Sequence, residues 1–141
     1  MLTPDLPLPM VATQDVAAVA VDYLADGGVT GRTVRYVLGP RDYTMTETAR
    51  ILGEAIGRPD LAYVQFPEAD FRAGLIGFGF SPGFADAYVE MVRGFNTRLI
   101  KGEPRSATNT TPTTLEEFAT DVFAPAFSQR EPTKLPTTGG S

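Results

Sequence analysis

The sequence predicts an α/β fold, helix-rich and partial, with two to three strands. Segments with helical spacing alternate with two short runs of β-branched and aromatic residues, in the order helix, strand, helix, strand, helix, helix, helix. The chain has 141 residues, which is enough for one domain with its own core. So few strands leave both sheet edges unpaired, and the predicted fold is therefore incomplete unless another element covers those edges.

The first predicted helix begins at Thr13, which is a suitable N-cap residue. Asp15 lies in the first turn, near the positive end of the helix dipole. Apolar residues then recur at helical spacing, and Gly27 and Gly28 end the helix. No residue between Asp15 and Asp22 is charged, so we expect neighbouring elements to cover this helix on most sides.

Two segments are predicted strands. Residues 33–38 have the sequence TVRYVL and end at Gly39 and Pro40. Residues 61–66 have the sequence LAYVQF and end at Pro67. Valine, leucine and aromatic side chains favour a pleated, half-buried surface, so these segments supply the predicted sheet.

Capping boxes mark the starts of two further helices. In the first, Thr44 and Glu47 each satisfy a free backbone N–H of the first turn. In the second, Thr114 and Glu117 play the same parts, and Pro125 is predicted to close that helix. The second box also explains the adjacent acids at 116 and 117 better than a catalytic carboxylate pair does.

The middle of the chain contains two more predicted helices. One begins at Glu68 and is loosened by Gly74, Gly77 and Gly79. The next restarts at Ser81 and Pro82, with serine at the cap and proline at the first helical position. Residues 105–112 are polar and form a predicted loop before the final helix.

Composition excludes several classes of chemistry and partner. The chain has no cysteine and no histidine, which excludes a disulfide framework, a Cys/His zinc site and a Ser-His-Asp triad within it. The net charge of -5, without a basic run, predicts no nucleic-acid partner. No apolar stretch approaches the ~20 residues that span a bilayer. We therefore expect no membrane partner and a cytoplasmic location.

Three regions are predicted along the chain. Residues 1–8 form an N-terminal extension, residues 9–128 form one domain, and residues 129–141 form a disordered tail. Residues 135–139 read LPTTG and match the Leu-Pro-x-Thr-Gly signal of sortase substrates. We interpret this match as chance or an added tag, because the apolar helix and basic tail of that signal do not follow.

Nucleotide-binding and dehydrogenase motifs were tested directly on the sequence. Residues 74–79, GLIGFG, follow a helical stretch, whereas a dinucleotide loop follows a strand and opens a helix. The five tyrosines have no lysine four positions later, so the chain has no Tyr/Lys catalytic pair on one helix face. We therefore predict neither catalytic nor cofactor-binding nor metal-binding residues in this chain.

A cluster of aromatic residues supplies the candidate binding site. Glycines interleave with it, and they would allow a flat organic molecule to approach aromatic walls. The candidate substrate-binding residues are Phe66, Phe71, Phe78, Tyr88, Met91 and Phe95. Ordinary aromatic core is the competing interpretation, since apolar residues at helical spacing usually pack against one another.

Six segments share their order and spacing with one known family. They are 9–17 (PMVATQDVA), 31–40 (GRTVRYVLGP), 43–49 (YTMTETA), 55–58 (AIGR), 63–67 (YVQFP) and 109–119 (NTTPTTLEEFA). Together they resemble the C-terminal half of NmrA-like proteins, which are atypical short-chain dehydrogenase/reductase relatives. The resemblance implies that residues 9–128 are the C-terminal, substrate-side domain of such a protein.

The resemblance also implies a function. Members of this family bind NAD(P) through an N-terminal Rossmann half with a Gly-x-x-Gly-x-x-Gly loop, and some reduce quinones while others sense nucleotides. This chain would then be the substrate-side portion of an NAD(P)-linked oxidoreductase or redox-sensing protein. It would take a small planar organic substrate, and would bind no cofactor without the Rossmann half.

A second hypothesis comes from a different class. The chain would be a stand-alone small-molecule-binding or protein-interaction module that covers its sheet edges by self-association. The two hypotheses differ in what lies over the unpaired edges: a Rossmann half in the first, and a second copy of the chain in the other.

Overall fold

The structure is a computed structural model and describes residues 1–25, 31–100 and 102–129. Four α-helices, joined by non-helical segments, precede a final helix of mixed geometry. The four are α1 (Thr13–Ala25), α2 (Met45–Ala55), α3 (Glu68–Gly77) and α4 (Pro82–Asn96). The final helix is α-helical over Leu115–Phe118, π-helical over Ala119–Phe123 and α-helical again over Ala124–Ser128.

The prediction of an α/β fold with two to three strands is wrong. Within the described residues the fold has no strand, and segments 33–37 and 61–67 have no regular secondary structure and no ladder partners. Two isolated bridges are present, an antiparallel one between Leu8 and Tyr43 and a parallel one between Leu38 and Thr110. Residue preference favours extended backbone, but a strand also needs a neighbour for its N–H and C=O groups.

Helix α1 is present, but Thr13 is its first helical residue and not the N-cap that the sequence predicted. Its surroundings also differ from the expectation. Asp15 is its one buried residue, whereas Val21 is 61% and Leu24 is 77% exposed. The prediction that neighbours cover α1 on most sides is therefore wrong, because no other described helix packs closely against it. The predicted helix end at Gly27 and Gly28, like the tail beyond residue 129, lies outside the described residues.

Three predicted caps, at Thr44, Ser81 and Thr114, are confirmed. Thr44 accepts a bond from the Glu47 N–H, and the Glu47 carboxylate accepts one from the Thr44 N–H in return. Thr114 and Glu117 form the same pair of bonds at the final helix. Ser81 caps α4, and its hydroxyl accepts a bond from the backbone N–H three residues later. These starts depend on contacts within four residues, which is why the sequence was sufficient to find them.

Pro125 does not end the final helix, contrary to prediction. The preceding turns are π-helical, and the N–H of Ala124 bonds the carbonyl of Ala119 five residues back. Pro125 then occupies the first turn of the next α-helical segment, which runs to Ser128. The wider turn ends the previous hydrogen-bond pattern before the proline, so its missing N–H interrupts nothing.

Two groups of buried side chains hold the fold together. Around Tyr43, which is 1% exposed, α2 packs against the final helix through Ile51 and Ala119. Helices α3 and α4 pack against each other, with Ala85 and Val89 buried on α4. The first group also includes Met10 and Leu115, so it joins the segment before α1 and the start of the final helix to α2.

Two helical glycines with opposite surroundings give a stability prediction. At Gly53 in α2, an added Cβ would lie 2.5 Å from the backbone oxygen of Arg58 and 2.9 Å from the Leu61 Cβ. At Gly74 in α3 it would meet nothing within 4 Å. We expect Gly53→Ala to lower the free energy of unfolding by about 1–3 kcal/mol. Gly74→Ala is expected to raise it by about 0.5–1 kcal/mol.

Urea unfolding followed by circular dichroism at 222 nm measures both changes. Each variant is the control for the other, because both replace a mid-helix glycine and share the same gain in helix propensity. Stabilisation by Gly53→Ala would contradict the close approach of the Arg58 carbonyl to α2.

Candidate functional site

The predicted substrate-binding residues are divided among several places on the structure. Phe66 and Phe71 line a groove of about 340 Å³ between the start of α3 and the face of α4. Phe95 lines a different cleft, and Phe78 follows α3 with 87% of its surface exposed. Tyr88 and Met91 lie on α4 and are 38% and 39% exposed. Substrate binding at these six residues stays a prediction, and the groove brings two of them together.

A row of aromatic rings continues from the groove along α4. Phe71 and Tyr88 have ring centroids 5.9 Å apart, and Tyr88 and Phe84 are separated by the same distance. Phe84 stacks on Phe80 at 4.7 Å with an interplanar angle of 17°. These distances are typical of favourable aromatic pairs. Since Phe80 and Phe84 are 46% and 45% exposed, the row presents ring surface to solvent rather than forming a closed core.

The polar end of the groove holds residues 1–3. The Asn96 side chain donates to the Met1 carbonyl at 3.0 Å and accepts from the Thr3 N–H at 2.9 Å. The Tyr63 hydroxyl donates to the Leu2 carbonyl at 2.9 Å, and burial raises the pKa of this tyrosine. Part of the predicted N-terminal extension is thus packed on the body of the fold, and Met1 lines the groove.

Two ion pairs connect α3 and α4, the helices that form the groove. Arg93 on α4 pairs with Glu68 on α3 at 2.5 Å, and Arg72 on α3 pairs with Asp86 on α4 at 2.5 Å. All four side chains are more than one third exposed, so each pair contributes little to stability. Both pairs join α3 to α4, one from each helix's arginine.

A second polar network surrounds Tyr43. Its hydroxyl donates to Glu116 at 3.0 Å and accepts from the Leu115 N–H at 2.9 Å. The Arg41 guanidinium lies 3.8 Å from the centre of the Tyr43 ring and pairs with both Glu116 and Glu47. Burial raises the pKa of Tyr43. The network therefore joins the core to the starts of α2 and the final helix.

The carboxylate of Glu116 shows the electrostatic balance in this network. Burial acts to raise its pKa, but the Glu116 N–H and the bonds from Arg41 and Tyr43 outweigh burial and lower it. The interpretation of the adjacent acids as capping residues holds for Glu117. It is incomplete for Glu116, which bonds across the core to residues more than seventy positions away.

Asp15 attaches α1 to the segment before the final helix. Its carboxylate accepts a bond from the Thr113 hydroxyl at 2.7 Å and another from the Thr113 N–H at 3.1 Å. Burial acts to raise the Asp15 pKa, but the bonds from Thr113 and Thr111 lower it overall. The sequence indicated a dipole interaction here. It gave no signal for the partner, which is 98 residues away in the chain.

The lowered pKa predicts an acid-dependent role for Asp15 in stability. A carboxyl whose folded pKa lies below its unfolded value stabilises the fold above the unfolded pKa, and this stabilisation is lost as pH falls through the folded pKa. We expect Asp15→Asn to reduce the free energy of unfolding at pH 7 by about 1–3 kcal/mol, because an amide cannot accept both Thr113 bonds. The difference from the parent should shrink as pH falls from 7 towards 3, below the unfolded Asp pKa of about 3.9.

Urea unfolding at several pH values measures this difference. Asp22→Asn is a matched control, since Asp22 is an exposed acid on the same helix. A penalty for Asp15→Asn that stayed constant down to pH 3 would show that charge plays no part in the contact.

Metal and membrane sites were also considered. The described residues contain no group of three or more acidic side chains placed to hold a metal ion. In the same part of the chain, no helix has the length and apolar character needed to cross a membrane. Residues 74–79 form the end of α3 and the turn after it, so this glycine segment is not at a helix N-terminus.

Comparison with protein-family models, with curated proteins and with solved structures finds no match.

Proposed function

We propose that this chain is the substrate-side portion of an NmrA-like NAD(P)-linked oxidoreductase or redox-sensing protein. The observation that carries the proposal is the exposed apolar surface. Helix α1 has no charge between its two aspartates, yet Val21 and Leu24 are mostly exposed. Val34 and Val64, in segments 33–37 and 61–67, are 74% and 61% exposed. A helix and segments of this composition are usually buried, so a second folded unit would cover them.

The contacts among the resembling segments support the same proposal. The bridge from Leu38 to Thr110, the bonds from Thr113 to Asp15 and the network from Tyr43 to Glu116 link segments far apart in sequence. Residues in the resembling segments therefore contact one another in the folded chain. In the proposed arrangement, the nucleotide-binding unit covers α1 and segments 33–37 and 61–67, and the aromatic row along α4 faces a flat organic substrate.

Nucleotide binding tests the proposal. We expect the chain alone to give no saturable change in NADPH fluorescence. Together with the N-terminal Rossmann half of an NmrA-like protein, it should co-elute as a complex that binds NADPH. Tight NADPH binding by the chain alone, or no complex with the supplied half, would overturn the proposal.

A pair of exposed leucines makes the assembly test specific. Leu24→Asp places a charge on α1 at a side chain that is 77% exposed, and should block co-elution without unfolding the chain. Leu99→Asp places the same charge at an 81% exposed leucine after α4, and should leave co-elution unchanged. Equal loss in both variants would show that assembly does not depend on α1.

A second candidate function is favoured by the same exposed surface. As a stand-alone binding or interaction module, the chain would cover α1 with a second copy of itself. Light scattering at micromolar concentration separates the two candidates. A dimer that Leu24→Asp converts to a monomer would favour self-association, whereas a monomeric parent chain would count against it.

A further inference from the structure

The cleft lined by Phe95 is larger than the groove between α3 and α4. Its volume is about 660 Å³, within the range of small-molecule sites. Its walls come from three separate parts of the chain: residues 6–9, residues 36–42, and residues 95–100 with 102–105. The apolar side chains that line it are Leu6, Leu8, Tyr36, Leu38, Phe95 and Ile100.

Arg98 lies in this cleft with an unusual backbone conformation. Its φ is 57°, the one positive φ among the non-glycine residues that the structure describes. It follows α4 at the position where glycine is normally found, because a side chain in the left-handed region costs roughly 1 kcal/mol. The turn is held by bonds from the Arg98 N–H to the Phe95 carbonyl at 2.9 Å and from the Leu99 N–H to the Gly94 carbonyl at 3.0 Å.

The residues after the turn pack closely against the end of α4. The Ile100 side chain lies so close to Gly94 that an added Cβ there would be 2.9 Å from its Cδ1 atom. The chain therefore folds back over the end of α4 and places residue 98 at the cleft. An arginine at such a position retains a strained backbone, and strained residues of this kind cluster at binding sites.

The cleft has three other charged residues. Two of them form an ion pair with each other, and the third is negative. Arg105 pairs with Asp42 and donates to the Gly39 carbonyl at 2.9 Å. Glu103 also lines the cleft and is an anion. Among the described residues, Arg98 pairs with no carboxylate, whereas Arg105 does. An incoming anionic group would therefore meet Arg98 as the cation that, among the described lining residues, pairs with no carboxylate.

We propose that this cleft binds a molecule with an apolar body and one carboxylate, of the medium-chain fatty acid class. The leucines, Tyr36, Phe95 and Ile100 take the apolar body, and the Arg98 guanidinium pairs with the carboxylate through charge-assisted hydrogen bonds. The site is separate from the aromatic row on α4, and it does not depend on the proposed oxidoreductase function.

Calorimetric titration of the whole chain with decanoate tests this proposal. We expect saturable binding by the parent chain, and binding at least about tenfold weaker by Arg98→Asn. Asparagine tolerates the left-handed conformation, so this variant keeps the turn and removes only the cation. Arg98→Lys retains a positive charge and should recover most of the affinity.

Two controls keep the result specific to the carboxylate. Arg58→Asn removes an exposed arginine beyond α2, and should leave decanoate affinity unchanged. Decanol has the same apolar body without the charge, so it should bind the parent and the Arg98→Asn variant equally. Absence of decanoate binding to the parent, or equal affinity in parent and Arg98→Asn, would overturn the proposal.

Discussion

Replacement of Gly39 by alanine is expected to lower the free energy of unfolding by about 3 kcal/mol or more. The ideal Cβ at this position would overlap the backbone carbonyl of Met10, whose carbon would lie only 2.9 Å away. Backbone cannot rotate aside as a flexible side chain can, so residues 8–11 and 38–40 would have to separate. That separation would strain the bridge between Leu8 and Tyr43 and the bond from Arg105 to the Gly39 carbonyl.

Chemical unfolding and a thermal scan measure this loss. Gly102→Ala is the matched control, because Gly102 also lies outside the helices and an added Cβ there meets nothing within 4 Å. We expect Gly102→Ala to change stability by less than about 0.5 kcal/mol. A Gly39→Ala protein as stable as the parent would mean that segments 8–11 and 38–40 do not touch.

Loss of the Tyr43 side chain is the second large effect. Tyr43→Ala should destabilise the chain by about 3–5 kcal/mol, because it empties the centre of the core and removes the ring beneath Arg41. Tyr43→Phe keeps the ring and removes only the hydroxyl. It leaves the Leu115 N–H without its acceptor and should cost about 1–3 kcal/mol.

The two variants divide the contribution of Tyr43 between packing and hydrogen bonding. Tyr36→Phe is the control, since Tyr36 is 47% exposed and its change should stay within about 0.5 kcal/mol. Urea unfolding gives all three values. A Tyr43→Phe variant as stable as the parent would show that the final helix starts without help from the hydroxyl.

These variants also bear on the proposed relationship to NmrA-like proteins. Gly39 and Tyr43 lie in two of the segments that resemble NmrA-like proteins, and neither lies in the groove of α3 and α4. Large stability losses at both positions would mean that these motifs specify the fold rather than contact a ligand. Ligand contact would then be sought along the aromatic row and in the cleft of Arg98.

The sequence predicted only part of the candidate site. The aromatic residues between positions 66 and 95 were recognisable from their density. Their division between the groove and the cleft depends on how the end of α4 turns back at Arg98. No local pattern identifies an arginine in a glycine position as cleft-lining, because residues 6–9 and 36–42 complete that cleft from far away in the chain.

The sequence by itself determined where three of the helices begin, because capping boxes at Thr44 and Thr114 and the serine cap at Ser81 act within a single turn. Tertiary structure alone decided the rest. It left the segments at 33–37 and 61–67 without strand partners, joined Asp15 to Thr113 and buried Tyr43 between α2 and the final helix. The physical reason is the sequence separation of the contacts. A cap forms its hydrogen bonds with residues in the same turn. A strand, a buried carboxylate or a core tyrosine needs partners far away in the chain, and a local pattern does not identify them.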